Sequence, residues 1–95
     1  MNVITKHPLK VLQINHLRLP SHCRVLSAGE QDGTLYVWVL GDPRSNYVEH
    51  EVLVFGTGLL TDTLDETDSV SWQFIQTVQM TDGYVWHMFV KVPLK

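Results

Sequence analysis

The sequence is poor in cysteine, in basic residues and in long apolar runs, and each shortage argues against some classes of function or partner for this protein. Cys23 is the single cysteine, so no disulfide can form within the chain, which fits a reducing compartment. The chain has 7 Lys and Arg against 10 Asp and Glu. This balance disfavours a duplex nucleic acid partner, because phosphate binding needs a basic stripe. No run approaches the roughly 20 apolar residues of a membrane span, and none is typical of a signal peptide, so we expect no membrane partner.

Residues that could carry chemistry are scattered along the chain. No two of the 5 histidines have the spacing of a zinc motif, and the cysteine has no second cysteine, so we predict no metal site and no cofactor. We also predict that the protein is not an enzyme. The alternative is an enzyme, which requires that at least one of His87, His50 and Cys23 lines a pocket beside a second polar group. Cys–His catalysis at Cys23 would be one form of it.

A turn followed by an apolar strand occurs twice. Asp-Gly stands at 32–33 and again at 82–83, each time between apolar runs. Asp-Gly in this setting predicts a β-hairpin, because both residues tolerate positive φ. Trp38 and Trp86 each lie an odd number of residues after their glycine, so the pattern predicts that both point to the same relative side of their strands.

The other turn-forming residues, Gly, Pro and Asn, divide the chain into short strands and turns. One segment, 59–68, could hold a short helical turn or a loop. The final strand is apolar on both faces, which indicates a central position in a sheet. The predicted strands cover residues 3–5 (stopped near Pro8), 10–19, 24–31, 34–40, 47–55, 69–80 and 84–92.

Side-chain alternation predicts which faces are buried. In the fifth strand Glu49 and Glu51 share one face and Val52 and Val54 the other, which is typical of a strand with one wet side. In the sixth strand one face carries a row of apolar side chains, namely Val70, Trp72, Phe74, Val78 and Met80. The sequence therefore predicts one all-β domain over residues 1–95, a small antiparallel sandwich or barrel of six to seven strands.

Gly56-Thr57-Gly58 is the strongest candidate for a ligand loop. Two glycines around a threonine after a strand can turn backbone N–H groups toward an anion, with the hydroxyl assisting. A tight turn or bulge that ends the strand explains the same glycines. The other candidate ligand contacts are Tyr36, Trp38, Trp86 and His87. Aromatic residues on strands can stack on a ligand, although on the strands of a small β-fold they more often belong to the core.

A series of short motifs runs in order along nearly the whole chain: Ile4, Lys6, Leu9, Leu19-Pro20, Val25-Leu26-Ser27, Gln31-Asp32-Gly33, Trp38, Asp42-Pro43, Phe55-Gly56-Thr57-Gly58, Phe74-Ile75, Thr77, Gln79 and Gly83-Tyr84-Val85-Trp86-His87-Met88-Phe89. The order and spacing of these motifs resemble a family of small uncharacterised proteins encoded by tailed bacteriophages and prophages. In that family His-Pro commonly follows the Gly-Thr-Gly, whereas here Leu59-Leu60 follows. The resemblance implies a viral accessory protein in the host bacterial cytoplasm.

Two functions follow as expectations. The first is a non-enzymatic binding module in host takeover or counter-defence, which binds a host protein or a small anionic, nucleotide-like ligand. Such a module could form a homo-oligomer through an edge strand. The alternative is a minor structural or assembly protein of the virion.

Overall fold

In the described part of the chain seven antiparallel strands form two sheets that share one core. A computed structural model describes residues 1–11, 14–58 and 70–93, and these ranges contain no helix. The strands are β1 (Val3–Leu9), β2 (Ile14–Pro20), β3 (Cys23–Gln31), β4 (Thr34–Gly41), β5 (Tyr47–Gly56), β6 (Val70–Gln79) and β7 (Val85–Pro93). The predicted all-β class is confirmed. The segment 59–68, where a helical turn was the alternative to a loop, lies outside the described residues.

Strand order places β4 and β7 in the middle of their sheets. Sheet A has the order β1-β4-β3 and sheet B the order β2-β5-β7-β6. The predicted central position of the last strand is confirmed, since β7 pairs with both β5 and β6. Within the described ranges no helix could cross a membrane.

The core lies between the inner faces of the two sheets. Val52 and Val54 are completely buried, while Glu49 on the opposite face is exposed, as the alternation predicted. The two faces are not uniform, because Leu53 on the glutamate face is 5% exposed and Val48 on the valine face is 41% exposed. The Cα atoms extend over 39 × 37 × 16 Å, a thin dimension that suits two sheets about 10 Å apart. The largest fully buried side chains are Leu19, Leu35, Met88, Val37, Val39, Val52 and Val54.

Proline did not stop the first strand where the sequence predicted. β1 runs through Pro8 to Leu9, with Pro8 opposite Tyr36 of β4. β1 is an edge strand, and the missing N–H of a proline is tolerated where no second neighbour needs it. The second strand starts later than predicted, at Ile14. The side chain of Asn15, which is buried within β2, binds the backbone of Lys10. It accepts the Lys10 N–H at 2.7 Å and donates to the Lys10 carbonyl oxygen at 2.9 Å.

Both Asp-Gly hairpins form, but with different turns. Asp32 (φ 51°) and Gly33 (φ 82°) are the two central residues of the β3–β4 turn, as in type I′. In the β6–β7 loop Gly83 (φ 95°) is instead the last residue of a turn, in which the Gly83 N–H donates to the Met80 carbonyl oxygen at 3.0 Å. The β6–β7 loop is longer than the β3–β4 loop by an odd number of residues.

The unequal loops place the two tryptophans on opposite kinds of surface. Trp38 lies half-buried on the outer face of sheet A, whereas Trp86 is 9% exposed in the core. The prediction that both point to the same relative side was wrong, because counting from glycine assumed identical turns.

A β-bulge divides the apolar row predicted for β6. The register with β7 shifts between Phe74 and Gln76, so Ile75 is the extra residue. On one side of the bulge Val78 is buried, while on the other Phe74 is 53% exposed and packs edge-on against Phe89 of β7. The prediction of a single apolar face was therefore wrong for β6.

Side-chain hydrogen bonds join the two sheets where the edges of β3 and β6 meet. The Ala28 N–H donates to Gln76 Oε1 at 2.9 Å. Glu30 accepts from the backbone N–H and from the hydroxyl of Thr81, both at 2.9 Å. We call this set of bonds the seam. It supplies partners to backbone groups that neither sheet ladder uses.

Candidate functional site

The sequence-predicted ligand residues fall in three separate places. The first is on the outer face of sheet B, where the Gly-Thr-Gly turn reaches His87 of β7. Thr57 Oγ1 lies 2.6 Å from His87 Nε2, and Thr77 Oγ1 lies 2.9 Å from Nδ1. Gly56 ends β5 opposite Trp86, and Gly58 has φ +83°, which favours glycine.

The hydrogen bonds of His87 show what this cluster does. A neutral imidazole donates from one ring nitrogen and accepts at the other, and a hydroxyl can serve either. Both nitrogens of His87 thus have threonine partners in either tautomer. The arrangement links β6, β7 and the turn after β5, and it favours the interpretation of Gly-Thr-Gly as a strand-ending turn.

The second place is the core. Trp86 is 9% exposed and its ring stacks on that of Tyr84, with centroids 6.0 Å apart and 23° between the planes. So little accessible surface remains that we do not retain Trp86 as a ligand contact.

The third place is the outer face of sheet A, where Tyr36 and Trp38 follow each other along β4. Their ring centroids are 6.3 Å apart. The Trp38 indole lies over Gly29 of β3, where an added Cβ would meet the ring at 3.4 Å. Lys6 of β1 stands 4.5 Å from the centre of the Tyr36 ring and donates a hydrogen bond to Gln31 at 2.8 Å. This cluster is a flat aromatic face with one cation above it.

A cleft between the sheets is the better candidate site, and the sequence did not single it out. It has a volume of about 420 Å³ and lies where β3 and β6 separate beyond the seam. Two bulges form its walls. β3 shifts register between Val25 and Ser27, which makes Leu26 the extra residue, and β6 shifts around Ile75. Bulges occur often at sheet edges and beside active sites, where they re-aim side chains.

Strand register decides which polar side chains reach this cleft. Cys23 at the start of β3 and His50 of β5 both belong to the inner faces of their sheets, and the two side chains meet with Sγ 3.8 Å from Nε2. Gly41 of β4 leaves room for this approach, because an added Cβ there would lie 3.1 Å from the Cys23 Cβ. Burial raises the pKa of the Cys23 thiol, so at neutral pH it is protonated.

Two basic residues line the cleft, although the chain as a whole is negative. Arg24 and Lys91 both line it. Lys91 Nζ is paired with Glu51 at 2.8 Å and lies 5.9 Å from the centre of the Trp72 ring. Arg24 is exposed and has no ion-pair partner in the described part of the chain. Its guanidinium is therefore available to an incoming anion.

The remainder of the lining is mostly apolar. Val25 and Val90 supply aliphatic surface from the inner faces, and Phe74 adds an exposed aromatic ring at the rim. Gln73 adds an amide group. The cleft therefore combines apolar and polar lining, which suits a small molecule that carries both kinds of surface.

Metal binding has no support in the described ranges. No three side chains of His, Cys, Asp or Glu lie close enough together there to hold a metal ion.

One signal in the sequence could have located the cleft. Val25 and Ala28 both belong to the core but are three residues apart, an odd spacing that breaks strict alternation and indicates a bulge in β3. In β6 the apolar residues before and after the bulge are an even number of positions apart, as they would be in a strand without a bulge. The sequence of β6 therefore indicated regular alternation.

Comparison with known proteins gives the family of the chain. No curated protein shows significant similarity to it. No solved structure does either. A family profile described as "Domain of unknown function (DUF7352)" matches residues 1–95. Since this match spans the whole sequence, the chain belongs to the DUF7352 family.

Proposed function

We propose that this protein is a non-enzymatic binding module for a small anionic ligand, with mononucleotides as the first class to test. The ligand occupies the cleft between the bulges of β3 and β6. The observation that carries the proposal is a cleft between the sheets lined by Arg24, an exposed residue with no ion-pair partner in the described part of the chain.

Charge favours an anion over a cation or a neutral molecule. Arg24 offers a planar set of N–H donors that matches a carboxylate or a phosphate. The described lining of the cleft includes no acidic side chain, and Glu51, the partner of Lys91, is already neutralised at 2.8 Å. An anion placed beside Arg24 therefore meets no carboxylate of that lining.

Size and polarity favour a ligand that has an apolar or aromatic part beside its charge. The cleft volume of about 420 Å³ is within the range of roughly 300–1,000 Å³ typical of small-molecule sites. The exposed ring of Phe74 can stack on a base, and the Gln73 amide can donate and accept hydrogen bonds. These groups suit a nucleotide better than a bare inorganic anion.

The wider setting remains a proposal that the sequence resemblance supports. It includes a phage origin, the host bacterial cytoplasm and a part in host takeover or counter-defence. Host-protein binding, homo-oligomer formation and a virion role stay predictions from the sequence.

A thermal-shift experiment tests the proposal. The full chain is melted with each of the four ribonucleoside monophosphates and, separately, with inorganic phosphate. Bound ligand at about 100 times its Kd stabilises by about 2.7 kcal/mol, which for a domain of this size raises Tm by on the order of 10–20 °C. Arg24→Gln should remove most of the shift. Arg18→Gln, which removes an exposed arginine outside the cleft, should keep it.

Flat melting temperatures with all four nucleotides would refute the nucleotide class. Equal shifts in Arg24→Gln and Arg18→Gln would refute the cleft as the binding site. A shift with phosphate as large as that with nucleotides would show that the apolar lining contributes nothing.

A further inference from the structure

The cleft also contains a nucleophile beside a base. We propose that Cys23 and His50 make it a thiol-reactive site, in which a small anionic electrophile becomes covalently attached to Cys23 Sγ. This inference rests on the proposed function, because the anionic group of the electrophile is held by the same Arg24. It adds the chemical class of ligand: a carbon electrophile that carries a negative charge.

The fold, and not the chain order, brings the two side chains together. Cys23 and His50 are on different sheets, and Sγ lies 3.8 Å from Nε2. Both line the same cleft, so a bound molecule has access to the sulfur and to the ring. Gly41 is part of the arrangement, since any larger residue would press on Cys23.

The thiol needs this base because burial keeps it protonated. The thiolate is the nucleophilic form of cysteine. Desolvation raises the pKa of Cys23, so a proton acceptor must act as the ligand reacts. Imidazole is the side chain that most often fills this role, and a separation of 3.8 Å in the unliganded state can shorten when a ligand binds.

The reaction is a displacement in which atoms and electrons balance. The Cys23 proton moves to His50 Nε2 as Sγ forms a bond to the electrophilic carbon. The bond from that carbon to the leaving group breaks, and the leaving group departs with the electron pair. His50 then returns its proton to water. Neither oxidant nor reductant takes part.

The charged groups around the pair favour an anionic reagent. Arg24 and Cys23 both line the cleft, while the charge of Lys91 is already paired with Glu51. The described lining includes no acidic side chain. A negatively charged reagent should therefore concentrate at the thiol more than a neutral reagent of the same reactivity.

Alkylation by iodoacetate and by iodoacetamide tests both parts. The two reagents form the same S–C bond and release iodide, but only iodoacetate is charged. Because Cys23 is the single cysteine, mass spectrometry of the intact chain gives its rate directly. The urea-unfolded chain supplies the reference ratio of the two rates.

We expect the folded chain to react with a ratio of iodoacetate to iodoacetamide rates at least fivefold above the unfolded reference. Arg24→Gln should return the ratio to that reference. His50→Ala should slow both reagents at least tenfold at neutral pH, in line with general-base contributions of about 10²–10⁴. Added imidazole should restore part of the rate, which a merely misfolded variant would not show. His16→Ala, at an exposed histidine outside the cleft, is the matched control.

The outcomes separate the two proposals. Unchanged rates in His50→Ala, with the charge preference intact, would overturn the covalent inference and leave the binding function standing. A folded chain that shows no charge preference would overturn the claim that the cleft selects anionic electrophiles. If nucleotides still shift Tm through Arg24, only the covalent inference fails.

Discussion

Replacing Gln76 by methionine should destabilise the whole protein through one backbone hydrogen bond. Gln76 Oε1 accepts the N–H of Ala28 at 2.9 Å, and Ala28 is 5% exposed. Methionine keeps the length of the side chain but removes the acceptor, so a buried N–H on the edge of β3 loses its partner. Such an unsatisfied group costs about 1–3 kcal/mol.

The effect is measurable because the domain is small. For a chain of this size each kcal/mol lowers Tm by about 4–8 °C. Urea unfolding followed by tryptophan fluorescence gives the free energy of unfolding, and hydrogen exchange of the Ala28 amide reports the bond itself. Gln73→Met is the matched control, since Gln73 lies on the same strand, is exposed and has no hydrogen-bond partner in the described ranges.

Equal stability of the Gln76→Met and Gln73→Met variants would refute a stabilising role for the Gln76–Ala28 bond of the seam. So would an Ala28 amide that exchanges equally fast in the wild-type chain and in Gln76→Met. Either result would mean that this bond does not help to hold the two sheets together.

Three further predictions concern single side chains. Asn15→Ala should lower the free energy of unfolding by about 1–3 kcal/mol, because the Lys10 backbone loses both of its amide partners, and urea unfolding beside His16→Ala as control measures this. Burial lowers the pKa of His7 below 6.5, so the unfolded chain binds that proton more readily and the free energy of unfolding should fall as pH drops below 6.5. His7→Gln should flatten the slope of the unfolding free energy against pH, and an unchanged slope would contradict this prediction. Burial raises the pKa of Cys23 above 9.0, so the folded chain keeps a proton that the unfolded chain loses, and the free energy of unfolding should fall as pH rises past 9.0. Urea unfolding at about pH 8 and pH 10 should show a smaller loss of this free energy for Cys23→Ser than for the wild type.

Local signals were enough to predict the strands and both hairpins. Asp-Gly supplied the positive φ that Asp32 and Gly33 adopt, and alternation in β5 separated Val52 and Val54 from the glutamates. These features depend on residues close together in the chain. They survive folding because side-chain alternation and turn geometry are local properties.

What failed were inferences that needed an exact count of residues along a strand. One extra residue reverses every side chain that follows it. The bulge at Ile75 therefore placed Phe74 outside and Val78 inside, and the longer turn ending at Gly83 placed Trp86 in the core.

The candidate site was hidden for a related reason. Cys23 and His50 are far apart in sequence and belong to different sheets, so only their three-dimensional arrangement shows the contact. The sequence could name both as residues able to carry chemistry. It could not show that two bulges would open a cleft around them.

Mapping of backbone amide shifts by NMR tests the central claim most directly. Titration with each of the four ribonucleoside monophosphates should move the amide signals of residues 23–26 and 73–75, which line the cleft, and Arg24→Gln should abolish these changes. Shifts confined to Thr57 and His87, or to Tyr36 and Trp38, would place the ligand elsewhere and contradict the account, as would spectra that do not change with any of the four.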